Sequence, residues 1–92
     1  PDVQIVDVRE PAEFIGSLGH IPGATFIPLA ELESRLGELD RTRPVVTVCR
    51  SGPRSAQAAV LPGKAGLTQV ANLAGGMLRW RAAGHAVQGG VD

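Results

Sequence analysis

One segment of the chain places a cysteine where its thiol could act as a nucleophile. Cys49 is the only cysteine in the sequence, and it directly follows four β-branched residues (45–48) that predict a buried strand. Gly52 and Pro53 end this extended run, and the alanine-rich residues after them favour a helix. The first amides of a helix lack partners and favour an anion such as a thiolate. We therefore expect a lowered thiol pKa and nucleophilic chemistry at Cys49.

The loop after Cys49 is expected to curl around the sulfur. Pro53 has no N–H and cannot contribute a hydrogen bond. The amides that can point inward belong to Arg50, Ser51, Gly52, Arg54 and Ser55. Such a concave set of amides stabilises negative charge, and the two arginines add positive charge at the rim that attracts an anionic substrate. The alternative is an inert cysteine packed in the core, but a loop and a helix directly after the strand favour the reactive interpretation.

The composition is that of a globular domain without a strong charge preference. Hydrophobic residues make up 43% of the 92 residues, and the formal net charge is zero. We find no basic stripe or polybasic cluster that would predict binding to nucleic acid or to a membrane surface, and no apolar run long enough to span a bilayer. A single cysteine excludes an intramolecular disulfide and a multi-cysteine zinc site. Because the thiol must stay available, we expect a reducing compartment and a cytoplasmic protein.

Short apolar runs alternate with helical patterns along the chain. Leucines at spacings of three and four predict an amphipathic helix over residues 29–39, and Pro11 suits the first position of a short helix. Strands are predicted at residues 3–8, 24–27, 45–48 and 70–73, and further helices from Pro53 and over residues 77–83. This alternation predicts an α/β fold with three α/β/α layers, in which helices cover both faces of a small, mainly parallel sheet.

Pro62 falls within the helix predicted after the cysteine loop. A proline cannot donate a hydrogen bond to the carbonyl of Ala58, and it costs about 3 kcal/mol in a helix interior. We therefore predict that this helix ends or kinks near Leu61, without an effect on the loop chemistry.

Four segments, in this order, resemble those of rhodanese-like sulfurtransferases. They are Ile5-Val6-Asp7-Val8-Arg9-Glu10, Gly19-His20-Ile21-Pro22-Gly23-Ala24, Cys49-Arg50-Ser51-Gly52-Pro53-Arg54-Ser55 and Leu73-Ala74-Gly75-Gly76-Met77-Leu78-Arg79-Trp80. The first resembles the first strand and turn of that family, the second its GHIPGA signature, the third its active-site loop and the fourth its closing Gly-Gly-x-x-x-Trp segment. The resemblance covers roughly residues 3–87.

The resemblance implies the chemistry of a sulfurtransferase. Cys49 would take a sulfane sulfur from an anionic donor, such as thiosulfate or a persulfide, hold it as a persulfide and pass it to a thiol or to cyanide. The active-site loop that binds the substrate would consist of Arg50, Ser51, Gly52, Pro53, Arg54 and Ser55. This cycle requires no metal ion and no organic cofactor.

Three further polar residues are expected to support the site. Asp7 and Arg9 follow the first predicted strand, at the same edge of the sheet as Cys49, and resemble residues that brace the active-site loop. His20 lies in the Gly-His-Ile-Pro-Gly segment and is expected to hold that loop in place rather than to transfer protons.

Two alternatives remain open. One is a cysteine phosphatase or arsenate reductase of related fold. Phosphate-cleaving relatives have a longer loop than the four residues that separate Cys49 from Arg54, and the smaller loop suits sulfur better than a phosphoryl group. The other is a non-catalytic sulfur-binding or docking module of a larger protein.

The chain is expected to form a single domain over residues 1–92, with a core over residues 3–87 and a loose tail over residues 88–92. It begins at Pro1 rather than at a methionine, which leaves room for upstream sequence or a fused partner domain. The resemblance also implies an additional N-terminal strand and helix that this sequence lacks. The expected partners are a small-molecule sulfur donor and a thiol or cyanide acceptor.

Overall fold

The computed structural model describes residues 3–67 and 69–90. Within these residues, the strands are β1 (Gln4–Asp7), β2 (Thr25–Phe26), β3 (Val45–Val48) and β4 (Val70–Asn72). They form one parallel sheet in the order β2-β1-β3-β4. Because β3 is a central strand, Cys49 follows it at the carboxyl edge of the sheet, where open α/β folds place their ligands.

Helices lie between the strands and pack on both faces of the sheet. They are α1 (Pro11–Phe14), α2 (Leu29–Leu32), a 3-10 helix (Glu33–Glu38), α3 (Pro53–Ala58), α4 (Val60–Lys64) and α5 (Gly76–Ala82). In the described ranges, none of the helices has the length and apolar character needed to cross a bilayer. The predicted three-layer α/β/α fold with a parallel sheet is confirmed.

Side chains of β3 and the residue after it alternate between the two faces of the sheet. Val45 and Cys49 belong to the core that includes side chains of α2, α3 and α4. Val48 belongs to the second core, on the face covered by α5. The Cys49 side chain therefore points toward the layer that contains α3, the helix that begins directly after its own loop.

The helix predicted over residues 29–39 is α-helical only in its first turn. From Glu33 onward the backbone tightens into the 3-10 helix. The hydroxyl of Ser34 donates a hydrogen bond to the carbonyl of Glu31 at 3.0 Å, and such bonds compete with the regular helical ladder. The apolar face predicted from the leucine spacing nevertheless packs against the core, where Leu32 is fully buried.

The helix after the cysteine loop is interrupted at Ala59, between α3 and α4. We predicted the break near Leu61, and the structure places it earlier, with α4 continuing to Lys64. Pro62 lies in the first turn of α4, where an N–H would have no helical partner in any case.

The end of the described chain folds back onto the loop before β2. Gln88 and His20 exchange two backbone hydrogen bonds, of 2.9 and 2.8 Å, in an antiparallel bridge. Gln88 is therefore anchored, in contrast to the loose tail expected over residues 88–92. Residues 91 and 92 of that tail lie outside the described residues.

A buried ion pair lies at the carboxyl end of β1. The Arg9 guanidinium and the Asp7 carboxylate approach to 2.7 Å, and the two side chains are 1% and 0% exposed. Arg9 also donates to the carbonyl oxygens of Glu13, at 3.1 Å, and Gly19, at 2.8 Å. The pair therefore ties α1 and the loop before β2 to the end of the central strand β1.

Replacing Asp7 with asparagine removes the charge that compensates Arg9 in the interior. Breaking one side of a buried ion pair costs about 3 kcal/mol or more, so we expect Asp7→Asn to lower the free energy of unfolding by about that amount in a urea titration. Glu31→Gln is the control, because it breaks an exposed ion pair with Arg35 and should leave the unfolding midpoint nearly unchanged. Equal losses in the two variants would contradict this role of Asp7.

Candidate active site

The sulfur of Cys49 lies inside the loop that follows it, and the residue is only 1% exposed. The Gly52 amide donates a hydrogen bond to Sγ at 3.0 Å, and the Ser55 hydroxyl lies 3.4 Å from the same atom. The amides of Ser51 and Ser55 also act on the sulfur. Hydrogen-bond donors from the loop and from the first turn of α3 therefore converge on one sulfur atom.

Two opposing effects act on the thiol of Cys49. Burial raises its pKa, because a thiolate loses its hydration in the interior. Hydrogen bonds from the Ser55 hydroxyl and from the amides of Ser55, Gly52 and Ser51 stabilise the thiolate, and their effect exceeds that of burial. The pKa of Cys49 is therefore lowered below that of an ordinary cysteine, which increases the fraction of reactive thiolate near neutral pH.

The beginning of α5 binds the carbonyl groups of the loop. The Met77 amide donates to the Cys49 carbonyl at 2.9 Å, and the Leu78 amide donates to the Arg50 carbonyl at 3.0 Å. Gly76 permits this close approach, since its φ is +55° and a Cβ at this position would lie 2.7 Å from the Arg50 carbonyl oxygen. The sequence identified Gly76 only as part of a family segment, and its contact with the cysteine loop appears only in the tertiary structure.

Ser55 connects the cysteine to the neighbouring strand β4. Its buried hydroxyl lies within hydrogen-bond reach of Cys49 Sγ, of the Gly52 carbonyl at 3.0 Å, and of the side-chain oxygen of Asn72. A hydroxyl has one proton, so these three acceptors compete for it. Asn72 is a site residue that the sequence analysis did not identify, because nothing near it in the chain distinguishes it from another polar residue at a strand end.

The arginine at the start of α3 is paired with an acidic residue of α1. Arg54 donates two hydrogen bonds to the Glu13 carboxylate, of 2.6 and 2.7 Å. These bonds lower the pKa of Glu13 to about 2. Arg50 is exposed, makes no ion pair within the described part of the chain, and lines with Glu13 a cavity of about 170 Å³. Arg50 and Arg54 were both expected to attract an anion. Within the described residues, Arg54 is held in an ion pair and Arg50 is not.

The remaining polar residues predicted for the site act at a greater distance from the sulfur. Arg9, held by Asp7, binds the Glu13 carbonyl and so helps to hold the residue that pairs with Arg54. The His20 ring stacks on Phe14 with centroids 3.9 Å apart, and its Nδ1 lies 3.2 Å from the Phe14 carbonyl. These contacts support a structural role for His20. Among residues 3–67 and 69–90, no group of His, Cys, Asp and Glu side chains is arranged to hold a metal ion.

Replacing Ser55 with alanine removes the hydroxyl that stabilises the Cys49 thiolate. We expect the thiol pKa to rise, so that the rate of Cys49 alkylation by iodoacetamide reaches its midpoint at a higher pH. Ser51→Ala is the matched control, since Ser51 acts on the sulfur through its backbone amide and the substitution keeps that amide. A midpoint that stays in place in Ser55→Ala, or moves equally in both variants, would contradict the role of the hydroxyl.

Replacing Gly76 with alanine introduces a Cβ where the loop carbonyls lie and demands a left-handed backbone from a residue with a side chain. We expect the free energy of unfolding to fall by more than about 1 kcal/mol and the Cys49 thiol pKa to rise as the loop shifts. The control is Gly63→Ala, because no atom lies within 4 Å of a Cβ at that position, and alanine there stabilises α4 by up to about 1 kcal/mol. Urea titration and the alkylation profile measure both effects, and equal stability in the two variants would refute the close approach.

Known proteins are similar to this chain in both sequence and fold. The Rhodanese-like domain family model matches residues 1–83. The chain is 46% identical over 77 residues to the uncharacterized protein YqhL of Bacillus subtilis, covering 84% of this chain and 60% of that protein. It is 42% identical over 79 residues to a sulfurtransferase of Allochromatium vinosum, covering 86% of this chain and 72% of that protein.

The crystal structure of the Alr3790 protein from Anabaena sp. aligns with all of this chain and with 71% of its own length, at a TM-score of 0.85 and 31% sequence identity. The family model covers most of the chain, and the sequence and structural relatives agree with it. With its parallel sheet and its loop folded around Cys49, the chain belongs to the rhodanese-like domain family.

Proposed function

We propose that this protein is a sulfurtransferase that carries a sulfane sulfur on Cys49. The observation that carries the proposal is the convergence of the Gly52 amide, at 3.0 Å, and the Ser55 hydroxyl, at 3.4 Å, on one sulfur atom. Such donors stabilise an anionic Sγ, which is the form required both as the nucleophile that attacks the donor and as the leaving group when the persulfide is cleaved. The Allochromatium vinosum relative, itself named a sulfurtransferase, supports the same activity.

In the first half-reaction, the Cys49 thiolate attacks the outer sulfur of a donor such as thiosulfate. A bond forms between Sγ and that sulfur, the bond from that sulfur to the sulfonate group breaks, and its electron pair leaves with sulfite. The outer sulfur keeps the negative charge that it carried in thiosulfate and becomes the anionic end of the new persulfide, while sulfite takes up the charge of the thiolate. A donor persulfide reacts in the same way, with a thiolate as the leaving group.

In the second half-reaction, an acceptor thiolate or cyanide attacks the outer sulfur of the Cys49 persulfide. The sulfur–sulfur bond breaks, its electron pair returns to Sγ as the Cys49 thiolate, and the product is a new persulfide or thiocyanate. Because the loop stabilises this thiolate, Cys49 is a good leaving group. The amides of Ser51 and Gly52 and the hydroxyl of Ser55 act on the same atom in both half-reactions, and no proton is transferred at the sulfur.

The contacts of Arg54 favour sulfur transfer over cleavage of a phosphate ester. A cysteine phosphatase needs a guanidinium group that binds the phosphoryl oxygens of its substrate. Both terminal nitrogens of Arg54 are instead bound to Glu13. Only four residues separate Cys49 from Arg54, so the loop is better suited to a single sulfur atom than to a tetrahedral phosphoryl group.

The proposed cycle also defines the partners and the environment of the protein. The donor is a small anionic sulfur compound, and the acceptor is cyanide or a thiol, either of a small molecule or of a fused or partner protein domain. Because Cys49 must return to its reduced form after each cycle, we propose that the protein works in a reducing compartment such as the cytoplasm.

Treating the purified protein with thiosulfate should add one sulfur atom to Cys49, and cyanide should then remove it as thiocyanate. Mass spectrometry of the intact protein and a colorimetric thiocyanate assay measure the two steps. Cys49→Ser should show neither the mass increase nor thiocyanate formation, while its unfolding midpoint stays close to that of the unaltered protein.

The same experiment distinguishes the alternatives. An unchanged mass after treatment with thiosulfate and with a small persulfide would contradict the proposed function. If such a protein hydrolysed an aryl phosphate, the phosphatase alternative would apply. Inertness in both assays would instead favour a docking module.

A further inference from the structure

Two of the arginines around the proposed site are compensated by ion pairs within the protein. Asp7 compensates Arg9 in the interior, and Glu13 binds both terminal nitrogens of Arg54 at the surface. Arg50 is the rim arginine without an ion pair in the described ranges. Of the two rim arginines Arg50 and Arg54, therefore, only Arg50 presents an uncompensated charge to an approaching donor.

We propose that Glu13 is a specificity-determining residue that reduces the preference of the site for doubly charged sulfur donors and so favours singly charged persulfides of organic thiols over thiosulfate. This inference rests on the proposed sulfurtransferase function. It assigns to Glu13 an effect on the potential at Cys49 and not a part in bond making or breaking.

Glu13 acts on the donor through Arg54. The Cys49 thiolate and the Arg54 guanidinium interact electrostatically, so the charge of Arg54 is felt at the reacting sulfur. The Glu13 carboxylate cancels most of that charge and occupies the two nitrogens that would otherwise bind an anion. The pKa of Glu13, about 2, keeps the carboxylate ionised at every pH at which a thiolate forms.

Glu13 also lies at the surface next to Arg50, the first residue of the cysteine loop after Cys49. Glu13 and Arg50 line the same cavity, of about 170 Å³, beside the cysteine loop. The Glu13 and Arg54 side chains are 28% and 37% exposed, so their charges act on molecules arriving from solvent. A dianion is attracted by Arg50 and repelled by Glu13, and the repulsion grows with the charge of the donor.

Two alkylating reagents of similar size test this directly. The Cys49 thiolate attacks the carbon of iodoacetate and of iodoacetamide and displaces iodide from each. The two reagents differ by one negative charge, so the ratio of their rate constants reports the potential at Sγ independently of the thiolate fraction. Glu13→Gln should raise the iodoacetate to iodoacetamide ratio about threefold at low ionic strength, and high salt should suppress the increase. The glutamine keeps an oxygen that can accept the hydrogen bond from the Glu10 amide, so α1 is preserved.

Sulfur donors extend the test to the proposed reaction. For thiosulfate, with two negative charges, the same change in potential acts twice, so Glu13→Gln should raise kcat/KM about tenfold. For the singly charged persulfide of 2-mercaptoethanol, the increase should be about threefold. Arg54→Gln should shift both the reagent ratio and the thiosulfate rate in the opposite direction.

The control is Glu38→Gln, which removes the same charge from an ion pair with Arg35 on the 3-10 helix. This variant should change neither the ratio of the two alkylation rates nor kcat/KM for thiosulfate. An unchanged reagent ratio in Glu13→Gln, or an equal change in Glu38→Gln, overturns the inference even if the protein transfers sulfur. If the protein takes up sulfur from neither donor while the reagent ratio shifts as expected, the proposed function fails, whereas the effect of Glu13 on the potential at Cys49 is supported.

Discussion

The geometry around Cys49 depends on the direction of the peptide groups that follow it. The N–H and C=O of a trans peptide point to opposite sides, so a loop whose carbonyls are bound on one side presents its amides on the other. The Arg50 carbonyl accepts a hydrogen bond from Leu78 in α5, which leaves the amide of Ser51 directed toward the sulfur. The donors are therefore oriented before any substrate arrives, and no reorganisation is required when the sulfur becomes charged.

The sheet and both of its helical layers contribute to this arrangement. Cys49 follows the central strand β3, with its side chain in the core that includes α3, while α5 covers the opposite face. The backbone after β3 consequently lies between two helices, one of which supplies Ser55 to the sulfur and the other Met77 to the Cys49 carbonyl. Oriented dipoles are the main groups that stabilise the thiolate, because Glu13 cancels most of the charge of Arg54.

The local part of the site could be predicted because its signals are local. The β-branched run before Cys49, the glycine and proline after it, and the alanine-rich residues beyond are adjacent in the chain and each favours one backbone conformation. The helix over residues 29–39 was predicted less well, because the hydrogen bond between Ser34 and the Glu31 carbonyl competes with the regular helix. The break before Pro62 was expected, but its position at Ala59 depends on how the preceding turn is packed.

The sequence by itself determined the family, the parallel α/β architecture and the position of a cysteine at the carboxyl end of a strand, since these follow from periodicity, turn residues and motifs along the chain. Only the tertiary structure decided which distant groups reach that cysteine: Asn72 beside Ser55, α5 against the loop carbonyls, and Glu13 on Arg54. These contacts join segments far apart in the chain, and the free energies that select them come from packing and charge compensation in three dimensions, which leave no periodic signal in the sequence.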